Sequence, residues 1–431
     1  MKYYSLNNPD HLSSFEDAVL RGLAPDKGLY FPSHIPKLSP EFLEDLKSKT
    51  KQEIAYEAIK EFVGDEIPHD DLERIIAHTL DFEFPVVKLE DGLYSLELFH
   101  GPTMAFKDVG ARFMAGCLEY FIKKGNHGRV TVLVATSGDT GGAVASGFLG
   151  AENIDVVILY PKGKVSDIQE KQLTTLGQNI KALEVDGSFD DCQDYVKKAF
   201  LDEEIKSVRK LTSANSINIA RWLPQMFYYF LAFQQLMDKE ESLVVSVPSG
   251  NFGNICSGLL AREMGLPIVH FVAANNANNV VTRYLDTSKY DPKPSVQTLS
   301  NAMDVGNPSN FVRILELFSN KHQDLRKVVS SYSYSDDQTK AAIKEVYDRT
   351  GYIMDPHGAV GYLGLRDHLK TQPEALGVFL ETAHPVKFLD TVEDVLQREV
   401  EIPVEIQKLK DKEKQAVPIA DYEGLKSFLM S

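Results

Sequence analysis

Lys107 stands in the stretch ELFHGPTMAFKDVGARFMAG, residues 97–116, between Phe106 and Asp108 and close to Met104, Ala105 and Val109. A lysine in an apolar run about to become a helix has two readings. One is a solvated helix-surface lysine, since lysine is rarely buried unpaired. The other is an amine whose surroundings disfavour the ammonium and leave it nucleophilic. Two further stretches have the composition of anion-binding turns. VLVATSGDTGGAVASGF sets Ser137, Gly138, Asp139, Thr140, Gly141 and Gly142 after a strand-like run and before small residues. VVSVPSGNFGNICSGLL does the same with Ser249, Gly250, Asn251, Phe252, Gly253 and Asn254. A helix N-terminus presents free N–H groups and partial positive charge, and glycine lets a phosphate approach the backbone. Either stretch alone also reads as an ordinary tight turn.

KLTSANSINIARWLPQMFYYF, residues 210–230, gathers Ser213, Asn215, Ser216 and Asn218 before Arg221, beside the chain's single tryptophan, Trp222. Arg221 reads as a surface residue with a buried stem or as a forked donor to phosphate or carboxylate. FLETAHPVKF, residues 379–388, puts Thr382 and His384 after another strand-like run. A lone loop histidine is more often structural than catalytic. The chain carries neither a P-loop nor a Gly-x-Gly-x-x-Gly after its first strand, so a dinucleotide fold is not indicated.

The elements that position these residues alternate after Pro85. Strand-like runs occur at 129–136, 154–161, 180–187, 242–249, 267–274 and 375–382, with helix-like stretches between most of them. Their near-continuous Val, Ile and Leu content predicts strands buried on both faces of a parallel sheet, hence α/β architecture. From about residue 10 to 85 the pattern is mostly helical. Ser14 is the expected N-cap of SSFEDAVLRGL, and APDKGLYFPSHIP is a Pro/Gly-rich connection. Residues 333–351 form a helix with a Ser335/Gln338 capping box and a Gly351 stop. KLKDKEKQA, residues 408–416, reads as a solvated tail or helix face.

A chain of 431 residues predicts two or three domains. The net charge of −16 argues against nucleic-acid and membrane-surface partners, which need a basic face. It leaves open an anionic small ligand held by local donors. Three scattered cysteines, Cys117, Cys192 and Cys256, form neither a disulfide framework nor a zinc knuckle. No metal site is expected. The start lacks a signal-peptide h-region, no apolar segment is long enough to span a bilayer, and a cytoplasmic location is expected.

Taken together, HGPTMAFKD, TSGDTGGA, SANSINIAR, PSGNFGN, SNAMDVGNPSNF, DPHGAVGY and ETAHPVKF resemble the threonine synthase family, in its long bacterial and fungal type. The likeness covers nearly the whole chain in the family's order. It implies a fold-type II enzyme using pyridoxal 5′-phosphate (PLP), with two α/β domains of mostly parallel sheets and the cofactor in the cleft between them. The expected division is a mainly helical domain over 1–95, α/β domains over 96–240 and 241–395, and a charged segment over 396–431.

The resemblance also implies the reaction, O-phospho-L-homoserine and water to L-threonine and phosphate. Lys107 matches the lysine that carries PLP as a Schiff base and later moves protons. Gly250, Asn251, Phe252, Gly253 and Asn254 match the loop around the cofactor phosphate, and Thr382 matches the hydroxyl facing the pyridine nitrogen. Asp139 stands where many relatives of the fold place an asparagine facing the PLP 3′-oxygen. Ser137, Gly138 and Thr140, with Thr103, are expected at the substrate, around its carboxylate. Asn215, Ser216 and Arg221 are expected at the substrate phosphate. Three alternatives stay open. They are a phospho-lyase giving 2-oxobutyrate, a non-catalytic PLP-binding relative and a β-replacement enzyme. A monomer or small homo-oligomer is expected.

Overall fold

The computed structural model describes residues 1–239 and 241–431, without the side chain of Lys410. Two sheets dominate the described residues. The larger has six strands in the order Val329–Ser333, Ile268–Asn275, Leu243–Pro248, Leu376–Glu381, Leu93–Glu97 and Val86–Glu90. All neighbours are parallel except the last pair. The second has five parallel strands in the order Ala416–Ile419, Ile180–Val185, Ile154–Pro161, Val130–Ala135 and Lys210–Ser213. All six strand-like runs are strands. Their apolar, β-branched composition fits central positions: every residue of Leu243–Pro248, Val130–Ala135 and Leu376–Glu381 is buried.

The N-terminal region carries the expected helices, including Lys51–Val63 and His69–Thr79. Ser14 caps Phe15–Arg21, accepting the Asp17 N–H at 3.0 Å. This region also holds a small antiparallel sheet of Tyr3–Ser5, Asn8–Ser13 and Tyr30–Pro32, which the helical reading omitted. Asn8–Ser13 is mostly exposed and polar, so it carries no alternating pattern. The last strands before residue 97 belong to the six-stranded sheet, so the mainly helical part ends before them.

The charged segment near the end is not a free tail. Val404–Lys410 is helical. Lys414 then pairs with Glu170 and Glu184 at 2.5 Å each, and Ala416–Ile419 completes the five-stranded sheet. The following helix, Tyr422–Met430, buries Leu425 and Leu429 in that sheet's core. Asp336–Thr350 has both halves of the Ser335/Gln338 capping box and ends at Gly351 with φ +74°.

In an open α/β sheet, ligands collect at the carboxyl ends of strands. Here the carboxyl ends of Val130–Ala135 and Lys210–Ser213 in one sheet, and of Leu243–Pro248 and Leu376–Glu381 in the other, feed loops that line one cleft.

Candidate active site

Lys107 is the first residue of the helix Lys107–Gly125. The turn before it is held from two sides. The Asp108 carboxylate accepts the Thr103 N–H at 2.9 Å and its hydroxyl at 2.5 Å. Phe106 N–H donates to the Thr382 carbonyl at 2.9 Å, so Lys107 and Thr382 are tied through the backbone. The Lys107 amine lies 4.7 Å from the centre of the Phe106 ring and 3.7 Å from Asp139 Oδ2. Burial holds the amine below the ordinary lysine range. Asp139 opposes that shift, while Lys387 and Arg221 add to it.

Asp139 opens the helix Asp139–Gly147. Thr136 Oγ1 shapes the turn before it, accepting the N–H groups of Gly138 at 2.9 Å and Gly141 at 2.8 Å. Gly138 has φ +142°, which a side chain rarely adopts. Burial by itself would raise the Asp139 carboxyl, but Lys387 and Lys107 outweigh it and hold the group below the usual carboxylate range.

The second loop leaves Leu243–Pro248 and opens the helix Gly253–Met264. Phe252 takes a left-handed conformation with φ +60°, turning the chain into the helix. Asn251 ties this loop to the next segment. Its carbonyl accepts the Asn310 N–H at 3.2 Å and its Oδ1 the Ser309 N–H at 3.0 Å. Asn254 Oδ1 accepts the hydroxyls of Tyr228 at 2.8 Å and Tyr229 at 2.7 Å.

Arg221 is 3% exposed. One guanidinium nitrogen donates to the Ala214 carbonyl, and Nε has no partner. Burial pulls the group down to about 10, so it remains a cation at neutral pH. Nearby, Asn215 Nδ2 donates to the Ala135 carbonyl at 3.1 Å. Ser216 Oγ accepts from Asn310 Nδ2 at 3.2 Å.

A single cavity is lined by Lys107, Ser137, Asp139, Thr140, Asn215, Ser216, Arg221, residues 250–254 and Thr382. Those expected site residues come together. Thr103 and Gly138 do not reach the cavity wall. The Thr103 N–H and hydroxyl are both committed to Asp108, and the Gly138 N–H to Thr136.

Three models of known families match in chain order. "Threonine synthase N terminus" matches residues 2–80, "Pyridoxal-phosphate dependent enzyme" 85–380 and "Threonine synthase, C-terminal" 358–429. The chain belongs to the threonine synthase family. It is 45% identical over 413 residues to a threonine synthase of Buchnera aphidicola from Acyrthosiphon pisum, covering 95% of each chain. The solved threonine synthase of Escherichia coli superposes with a TM-score of 0.94 at 43% identity, covering 100% of this chain and 99% of that one. A PLP-bound threonine synthase from Brucella melitensis gives 0.93 at 35% identity, with the same coverage.

The residues present fit the cofactor of a threonine synthase. The amine of Lys107 is partly buried and biased toward its neutral form. The twelve-residue helix Gly253–Met264 begins at the cavity with glycine, so its first N–H groups are open to a phosphate. On the same loop, Asn254 Nδ2 is a buried donor without a partner.

Sequence reasoning passed over several residues here. Asn301, Ala302, Met303 and His357 line the cavity. Their motifs, SNAMDVGNPSNF and DPHGAVGY, were visible but no role was attached to them. His357 Nδ1 lies 2.5 Å from Asp355 Oδ1, and its Nε2 accepts the Ala302 N–H at 3.2 Å. That pattern places the proton on Nδ1 and ties the Asn301–Met303 turn to the helix Pro356–Leu369. Lys387, inside ETAHPVKF, sits 2.7 Å from Asp139. His384 is structural: its Nδ1 accepts the Val386 N–H at 3.1 Å and its ring meets Phe99 edge-on at 5.0 Å.

Proposed function

We propose that this threonine synthase family member converts O-phospho-L-homoserine and water to L-threonine and inorganic phosphate, with PLP carried on Lys107. The observation that carries this reading is the position of Lys107. Its amine is partly buried, displaced toward the neutral form and placed in one cavity with both glycine-containing loops. When bound, the cofactor supplies an electron sink for the pair left at Cα after deprotonation.

The chain's own groups then divide the work. Lys107 takes the proton from Cα and, being a flexible amine, reaches Cβ as well. Residues 250–254 would hold the cofactor phosphate with backbone N–H groups and the Asn254 amide. The Thr382 hydroxyl would serve the ring nitrogen without enforcing its protonation, and Asp139 the ring oxygen. Ser137 and Thr140 take the substrate carboxylate. Arg221, with Asn215 and Ser216, holds the phosphate that departs from Cγ. Loss of the Cβ proton supplies the pair that expels the phosphate; a proton is then placed on Cγ, water adds to Cβ and a proton returns to Cα. The Asn215 amide is engaged by Ala135, so Arg221 and the Ser216 hydroxyl are the better-placed donors. A cytoplasmic location accords with cysteines that are free and buried, and no described helix is long and apolar enough to cross a membrane.

Incubation of the PLP-loaded protein with O-phospho-L-homoserine tests the reading. Threonine and phosphate in equal amounts are expected. Formation of 2-oxobutyrate and ammonia with no threonine would replace it by the phospho-lyase, which shares the scaffold and differs only in the fate of the unsaturated intermediate.

A further inference from the structure

The carboxylate of Asp139 lies between two lysines. Lys387 Nζ is 2.7 Å from its Oδ1, and Lys107 Nζ is 3.7 Å from its Oδ2. Gln169 Nε2 also donates to Oδ1, at 2.9 Å. Lys387 is fully buried in the short helical turn Pro385–Phe388, which follows Thr382 out of the six-stranded sheet. Its other partner is the Thr103 carbonyl at 2.8 Å, on the turn that positions Lys107. One ammonium therefore joins the Asp139 loop of one sheet to the lysine-bearing turn and the Thr382 segment of the other.

This arrangement answers a problem that the aspartate creates. A neutral amide at position 139 would leave the Lys107 amine alone. A carboxylate 3.7 Å away attracts a proton onto that amine, and an ammonium is not a nucleophile. We propose that Lys387 is a positioning residue whose ammonium occupies Asp139 Oδ1 and so weakens the pull of Asp139 Oδ2 on the Lys107 proton. The proposal rests on the role of Lys107 given above and deepens it.

The direction of the effect follows from the charged groups that face Lys107. Asp139 and Asp355 favour its ammonium, while Lys387 and Arg221 disfavour it, as does burial. Removing Lys387 deletes a nearby like charge and frees Asp139 at the same time. Both changes favour the protonated amine. Removing Asp139 alone acts in the opposite sense. Removing both leaves a neutral pair and restores the balance.

The test reads Lys107 in the cofactor-free protein. The rate of labelling by trinitrobenzenesulfonate is followed at the Lys107 peptide by mass spectrometry as a function of pH. Lys387→Met is expected to raise the labelling midpoint by about one pH unit, equivalent to about tenfold less free amine at a given pH below it. Asp139→Asn is expected to lower the midpoint, and the double variant to return it near wild type. An unchanged midpoint in Lys387→Met, or a double variant that keeps the single variant's shift, overturns the proposal. Should Lys387→Met fail to fold, adding it to Asp139→Asn must still move the midpoint upward, and no movement there overturns the proposal equally. Borohydride reduction of the PLP-loaded wild type separates this result from the reading beneath it. An adduct on a lysine other than Lys107 overturns both, whereas an adduct on Lys107 with an unshifted Lys387→Met midpoint overturns the role of Lys387 alone.

Discussion

Gly250 and Gly253 lie in the same loop, and the structure assigns them different sensitivities to a single methyl group. A Cβ on Gly250 would come within 2.7 Å of Met303 Cα and 2.8 Å of the Ala302 carbonyl oxygen, both backbone atoms. A Cβ on Gly253 would meet the Asn310 side-chain nitrogen at 3.2 Å and nothing closer. Carbon contacts are comfortable at about 3.5–4.0 Å, so Gly250→Ala must push two pieces of backbone apart by roughly 1 Å. The cost is steric, since Gly250 is not among the residues with positive φ. The Asn301–Met303 turn cannot yield freely, because the Ala302 N–H is held by His357.

Overpacking of this kind costs about 1–3 kcal/mol. If the strain is borne in forming the phosphate loop, PLP affinity should fall by roughly 5- to 150-fold in Gly250→Ala, taking about 1.4 kcal/mol per factor of ten. Gly253→Ala needs only a small shift of one flexible side chain, and should lose about threefold or less. Equilibrium titration of cofactor-free protein with PLP, read by absorbance, gives both dissociation constants. Thermal unfolding of the same preparations shows that the variants are folded. Wild-type affinity in Gly250→Ala, or a greater loss in Gly253→Ala, would refute the assignment of this loop and its packing against Ala302 and Met303.

Lys107→Ala should abolish turnover and the cofactor's covalent attachment, since it removes both the amine and the proton carrier; a residual reduced adduct elsewhere would exclude it. Arg221→Ala should depress turnover of O-phospho-L-homoserine by about 10²-fold or more, as expected for losing a charged donor to a leaving group, with cofactor absorbance near normal and only partial recovery in Arg221→Lys. A change in thermal stability with intact kinetics would make Arg221 a packing residue instead. His270 is stacked on His368 at 4.4 Å, and burial, with His368 adding to it, lowers it to about 4. A depressed histidine binds fewer protons folded than unfolded, so its contribution is present above about pH 6.5 and is lost as pH falls toward 4. Urea unfolding at pH 7 and pH 4.5 should show a stability loss smaller by about 2 kcal/mol in His270→Phe than in wild type, and equal losses would refute the shift.

The parts legible in the sequence were those encoded by neighbours along the chain. Val130–Ala135 and Leu243–Pro248 read as strands because buried parallel strands are apolar throughout. Both glycine-containing turns read as strand, turn and helix start because these are contiguous, and the structure brings them to one cavity. Short or polar strands did not read. Val329–Ser333 is VSSYS, Lys210–Ser213 has four residues, and Ala416–Ile419 contains a proline and follows a charged run. Each is a strand because a neighbour supplies the ladder, which is a tertiary fact. The same limit explains the site. Lys387 meets the Thr103 carbonyl across 284 positions, and a lysine between a valine and a phenylalanine carries no local sign that it will be buried against a carboxylate.

The net charge of −16 and an anionic ligand are reconciled by these buried groups. The long-range field repels a phosphate, so attraction must come from a few ångströms away, where burial strengthens it. Arg221 and Lys107 line the cavity, with Lys387 behind Asp139. Asp139 supplies the countercharge beside Lys107 and Lys387, and Asp108 the nearest one to Arg221. Among the residues that line the cavity, Arg221 Nε and Asn254 Nδ2 are buried donors without acceptors. An unsatisfied buried donor costs about 1–3 kcal/mol. A stable fold that keeps two of them on one cavity wall stores that cost where an anionic ligand relieves it.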